Sequence, residues 1–137
     1  MATNYKIIFA CVGNSCRSQM AEGFAKKIAP ENVEIVSAGT QPSSEVKPNA
    51  IAVMKEIDID ISGHNPKVLT TKMLKNATHF IGMGCEVMES CPVPLVEGEL
   101  VIEDWGLEDP AGKDLDFFRK TRDMIQEKVK YLIESLE

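Results

Sequence analysis

Lys6-Ile7-Ile8-Phe9-Ala10-Cys11-Val12-Gly13-Asn14-Ser15-Cys16-Arg17-Ser18 is the stretch on which the reading of this chain turns. Residues 6–10 form an almost unbroken apolar run, the pattern of a strand buried on both faces, as in a parallel sheet. From Arg17 the period changes. Met20, Ala21, Phe24, Ala25 and Ile28 recur at helical spacing until Pro30 closes the segment. Between strand and helix lie a cysteine, five residues, an arginine and a serine.

The same alternation continues outward. Residues 33–38 read as a second strand ended by Gly39, and Pro48 opens a second helix with Ala50, Ile51, Val53, Met54 and Ile57 on its apolar stripe. Residues 70–76 predict a short helix capped by Thr70 or Thr71. Residues 79–83 predict a third strand and residues 99–103 a fourth, separated by a long irregular stretch from 84 to 98. A turn-rich loop over 104–112 leads to a final helix, with Leu115, Phe118, Ile125, Val129, Leu132 and Leu136 at steps of three and four. The order β-α-β-α-α-β-β-α predicts one α/β domain over residues 1–137. It is expected to be doubly wound and three-layered, with a four-stranded parallel sheet flanked by helices.

At 137 residues the length suits one domain, and the charge is −6 with a pI near 5.0. That balance speaks against a general nucleic-acid binder, which presents a basic face. No apolar run reaches the roughly 20 residues of a membrane span, and residues 1–6 lack the layout of a signal peptide. The expectation is therefore a cytoplasmic protein that binds neither nucleic acid nor membrane, and nothing in the pattern calls for an oligomer rather than a monomer.

In doubly wound sheets the ligand sits beyond the carboxyl ends of the strands, which directs attention to residues 11–18. Backbone N–H groups of a turning loop and of a helix N-terminus attract a tetrahedral anion. Gly13 is expected to give the loop a backbone conformation closed to other residues. Arg17 can offer two parallel N–H bonds to one oxyanion. These groups favour the thiolate of Cys11, and Ser18 can donate a hydrogen bond to it. Val12, Gly13, Asn14, Ser15, Cys16, Arg17 and Ser18 are thus the candidate oxyanion-binding residues, with Cys11 the candidate nucleophile. Cys16 suits a packed spectator thiol.

Four cysteines, at 11, 16, 85 and 91, occur in the chain. The five-residue gap between Cys85 and Cys91 exceeds that of a structural zinc pair, so the four do not make two zinc knuckles, and neither His64 nor His79 stands at ligand spacing from any of them. No metal site and no cofactor are expected. Cys85 and Cys91 read equally as small buried hydrophobes or as reactive thiols. Their position in fifteen residues without an apparent element favours the second, because compact domains rarely keep such loops without a use.

Residues 11–23, Cys11-Val12-Gly13-Asn14-Ser15-Cys16-Arg17-Ser18-Gln19-Met20-Ala21-Glu22-Gly23, resemble the start of the thioredoxin-coupled arsenate reductases. These enzymes share the fold and anion loop of the low-molecular-weight protein tyrosine phosphatases. Ser37-Ala38-Gly39-Thr40, Asp60-Ile61-Ser62, Asp104-Trp105 and Asp109-Pro110-Ala111-Gly112 resemble the family in the same order. The resemblance implies that Asp109 is the general acid, with Asp104 a weaker competitor. It implies further that Cys11 attacks arsenate, that Cys85 then attacks Cys11, and that Cys91 attacks Cys85 to leave a disulfide for thioredoxin.

A phosphatase would need Cys11, Arg17 and an acid, and nothing more. Tyrosine phosphatases of this fold carry aromatic residues after the Asp-Pro, whereas this chain has Ala111-Gly112. That difference favours the reductase, with the phosphatase as alternative. An anion sensor on the same scaffold is disfavoured, because nucleophile and arginine are both present. Two departures from the family stand out. The spacer between Cys85 and Cys91 is one residue shorter than in its best-known members. Lys67 stands where potassium-binding members carry an acidic residue, while Asn14, Glu22 and Ser37 match the other positions, so an ammonium group is expected to replace the cation.

Overall fold

The computed structural model describes residues 5–84, 101–108, 110 and 112–136. Four strands run β1 (Tyr5–Cys11), β2 (Val33–Gly39), β3 (His79–Gly82) and β4 (Val101–Asp104). The helices are α1 (Arg17–Ile28), α2 (Pro48–Lys55), α3 (Thr71–Leu74) and α4 (Leu115–Glu134). All strand pairs are parallel, in the order β2-β1-β3-β4. The chain leaves β1 to one side for β2 and returns to its other side for β3. The carboxyl end of β1 is therefore the switch point, and Cys11 is its last residue.

The apolar run of β1 divides between two cores, as strand alternation requires. Ile7 and Phe9 pack with Met20, Phe24, Val53, Met54, Phe118, Ile125 and Val129, under α1, α2 and α4. Ile8 and Ala10 pack with Ala38, Leu69, Leu74 and Phe80, under α3 and its approach. Helices thus cover both faces of a parallel sheet, as the alternating pattern predicted. The outer strand β4 is exposed throughout.

Element boundaries shift modestly from the sequence reading. The third helix is a single turn, capped by Thr70, whose hydroxyl accepts from the Met73 N–H at 3.2 Å. The stripe of α2 was expected to reach Ile57, but the helix ends at Lys55 and the chain turns through Asp58 at φ 64°. Asp114 caps α4 by accepting from the Phe117 N–H at 2.9 Å. Residues 85–100, which include Cys85, Cys91 and the start of the expected fourth strand, lie outside the described residues, as do Asp109 and Ala111.

Candidate active site

Cys11 ends β1 and Arg17 begins α1, so the loop between them is held by the strand at one end and the helix at the other. Register brings Cys11 level with Gly39 on β2 and Ala10 level with Gly82 on β3. Gly39 has to be small. A Cβ there would stand 2.5 Å from the Val12 carbonyl oxygen and 2.9 Å from the Asn14 nitrogen. The expected special backbone at Gly13 falls one residue later, because Asn14 takes the left-handed conformation at φ 49°. Asparagine tolerates that region when its side chain is held locally. At Gly13 the constraint is space: a Cβ would meet the Ser43 hydroxyl at 2.8 Å.

Backbone groups fix the proton pattern around the nucleophile. The Lys67 N–H donates to Asn14 Oδ1 at 2.8 Å, so the other end of that amide, Nδ2, donates to Ser18 Oγ at 2.7 Å. With Ser18 accepting there, its own proton is free for Cys11 Sγ, 2.9 Å away. The Asn14 N–H lies 3.2 Å from the same sulfur. Two donors, the Ser18 hydroxyl and the Asn14 N–H, thus face Sγ. Gln19 Nε2 reaches the Asn14 carbonyl and Oδ1, each at 3.1 Å, and the Asn65 carbonyl at 3.3 Å. Its Oε1 must then accept, which places a proton on His64 Nδ1 at 2.9 Å. Gln19 and His64 were not singled out by sequence reasoning; their polar side chains give no spacing signal of their own.

Arg17 is buried, and its Nη1 donates to the Leu107 carbonyl at 3.0 Å. Gly84 makes room for that contact, since a Cβ there would lie 2.3 Å from both Nη1 and the carbonyl oxygen. Cys11, Val12, Gly13, Ser15, Cys16 and Arg17 line a cavity of about 210 Å³, joined by Gln41, Ser43 and Lys47 from the segment after β2. Asn14 and Ser18, also expected among the anion ligands, are fully buried beside Cys11, whose sulfur the Asn14 N–H and the Ser18 hydroxyl face. Cys16 both lines the cavity and joins the core. Asp104 is exposed and accepts from the Gly106 N–H at 2.9 Å, a local turn.

Glu22 lies buried behind the loop. Burial raises its pKa, but hydrogen bonds from Lys26 and Ser37 and the charges of Lys67 and Lys26 bring it below the usual carboxylate range. Ser37 Oγ donates to Oε1 in a short contact, and Lys26 Nζ stands 2.5 Å from Oε2. Asn14 Oδ1 already takes two donors. Asn14 Oδ1 and both Glu22 oxygens are therefore met by protein donors, with two ammonium groups acting on Glu22. These residues do not fit a bound cation. Among the described residues, no three His, Cys, Asp or Glu side chains cluster as a metal site would require.

A thiol at a strand end and a buried arginine at the start of the next helix, both lining one small cavity, frame the class. Residues 6–137 match the family described as low molecular weight phosphotyrosine protein phosphatase, and the chain belongs to that family. Within it, the chain is 42% identical over 124 residues to arsenate reductase 2 of Staphylococcus saprophyticus, covering 90% of this chain and 92% of that one. A solved arsenate reductase in the phosphate binding state superposes with a TM-score of 0.85 at 40% identity, over 97% of this chain and 99% of that one. The arginine phosphatase YwlE, in a cysteine-to-serine mutant whose active-site serine is phosphorylated, superposes with a TM-score of 0.80 at 28% identity, over 96% of this chain and 95% of that one. No helix among the described residues is long and apolar enough to cross a membrane.

Proposed function

We propose that the chain is a thioredoxin-dependent arsenate reductase, a single catalytic domain acting as a cytoplasmic monomer in arsenic detoxification. The observation that carries this reading is Cys11 Sγ facing two donors at the wall of a small cavity that Arg17 also lines. The likeness to arsenate reductases at 40–42% identity supports the choice of chemistry.

In the proposed sequence, the Cys11 thiolate attacks arsenic, one oxygen leaves as water, and Cys11 is joined to arsenate through sulfur. Arg17 and the loop N–H groups offset the charge of the oxyanion, and Asp109 protonates the departing oxygen. Cys85 then attacks Cys11 Sγ. The sulfur–arsenic bond breaks with its electron pair passing to arsenic, which leaves as arsenite, and a Cys11–Cys85 disulfide remains. Cys91 attacks Cys85 in turn, freeing the Cys11 thiolate. Thioredoxin returns two electrons to the Cys85–Cys91 disulfide, so no further cofactor is needed.

The second reading, a low-molecular-weight phosphatase, is favoured by the likeness to YwlE and uses the same Cys11 and Arg17. Incubating reduced protein with arsenate and mapping disulfides separates the two. The reductase yields arsenite and a Cys85–Cys91 link, and Cys91→Ser stalls at Cys11–Cys85. Absence of arsenite and of any disulfide, with aryl phosphate still hydrolysed, overturns the reductase.

A further inference from the structure

The wall of the cavity opposite the loop belongs to no motif in the sequence. The segment from 41 to 47 is fastened to the loop by three main-chain hydrogen bonds. The Gln41 N–H donates to the Val12 carbonyl at 2.8 Å, Ser43 to Gly13 at 2.9 Å and Lys47 to Ser15 at 2.9 Å. Three loop carbonyls are thereby turned to the segment rather than left to face an anion. The wall itself brings Gln41, Ser43 and Lys47 to the cavity.

Lys47 is half-buried, and no carboxylate among the described residues pairs with it. In a chain of net charge −6, Lys47 adds a second cation to a cavity that already holds an arginine. Among the described residues, the nine that line this cavity include no aromatic or large aliphatic side chain that would offer a face to an aryl group.

We propose that Lys47 is a specificity-determining residue of this site, selecting free tetrahedral dianions over monoanions of the same shape. This rests on the oxyanion-binding reading of the cavity and narrows its substrate class to small inorganic dianions. Attraction to a cation scales with ligand charge, so the logarithm of affinity that Lys47 contributes doubles from a monoanion to a dianion.

Sulfate and perchlorate are the probes, both tetrahedral and neither titrating near neutrality. Their dissociation constants are measured by calorimetry on reduced protein at low and moderate ionic strength. Lys47→Gln is expected to weaken perchlorate about threefold and sulfate about ninefold at low salt, with both losses shrinking as salt screens the charge. Lys47→Arg is expected to restore the preference. Equal losses for the two anions indicate a disturbed wall, and no loss indicates an idle lysine; either overturns the proposal while the oxyanion cradle stands. If the unaltered protein binds neither sulfate nor phosphate, the oxyanion-binding reading itself fails.

Discussion

The two sides of the loop at 11–18 are built from the same kinds of group in opposite balance. On the cavity side, Arg17 and Lys47 line a space to which no carboxylate among the described residues contributes. On the inner side, Asn14, Gln19, Glu22, Ser37, His64 and the Lys67 backbone form a network in which the side-chain oxygens meet donors. An excess of cations among the described residues suits one side to the anion proposed for it. Matching makes the other side rigid, and rigidity is what holds Asn14 in its left-handed conformation and points Ser18 at the sulfur. Function sits on the cavity side, and the inner side keeps it in register.

The largest expected effects come from the cavity side. Cys11→Ser is expected to abolish both arsenate reduction and hydrolysis of an aryl phosphate, since one thiolate starts both. Cys85→Ser is expected to abolish repeated turnover with thioredoxin while sparing hydrolysis. Initial rates on the two substrates check this, and turnover of arsenate by Cys85→Ser would refute the relay.

On the inner side the effect is on stability first. Glu22→Ala leaves Ser37 and Lys26 without their acceptor, and a buried polar group that loses its partner costs about 1–3 kcal/mol. Lys26 is half-exposed and finds water, so the loss is expected near the middle of that range, about 2 kcal/mol. Urea unfolding measures it. A change under about 0.5 kcal/mol, the level of an ordinary surface substitution, would show that the network is not held together through Glu22.

How far the sequence spoke follows the same division. The loop, its strand and its helix were legible because a five-residue apolar run followed by a helical period leaves few alternatives. Cys11 and Arg17 were placed by that frame. What periodicity could not reach were contacts between segments remote in sequence: Arg17 with Leu107 across ninety residues, Gln19 with His64 across forty-five, and the Lys47 wall. A tertiary contact between two polar side chains leaves no period in either. The glycines illustrate the limit. Gly13 looked like the conformational hinge, yet Asn14 bears the positive φ, and Gly39 and Gly84 are required by what lies against them.

A smaller effect is expected from pH. Burial holds the pKa of His64 below its usual 6.5, with Lys26 and Lys67 adding to the shift and Glu22 and Asp60 opposing it. His79 is lowered likewise by burial, against Glu103. A base with a depressed folded pKa binds protons more readily when unfolded. Stability is therefore unaffected well above 6.5 and falls as pH drops below that value toward the folded pKa values. A second decline is expected below 4.5, where Glu22, lowered in the fold, begins to protonate in the unfolded chain. Urea midpoints from pH 8 to pH 4 check both. His64→Gln, which keeps a donor for Gln19, is expected to shallow the first decline; an unchanged profile would remove His64 as its source.

The smallest effect expected in the unaltered protein is one of zero size. If Lys26 and Lys67 already neutralise Glu22, potassium and sodium chloride at equal concentration are expected to give the same melting temperature, because no site distinguishes them. Sequence alone points to Lys67→Asp as the change that restores a cation site. Geometry adds a second requirement, since Lys26 Nζ would still occupy Glu22 Oε2. Lys67→Asp is therefore expected to leave potassium without effect, and Lys67→Asp combined with Lys26→Met to create a potassium-specific rise. At ten times the dissociation constant, binding to the folded state alone adds about 1.4 kcal/mol, or about 5 °C at this chain length. A potassium-specific rise in the unaltered protein would mean that the two sides of the loop are alike, each completed by an ion from solution.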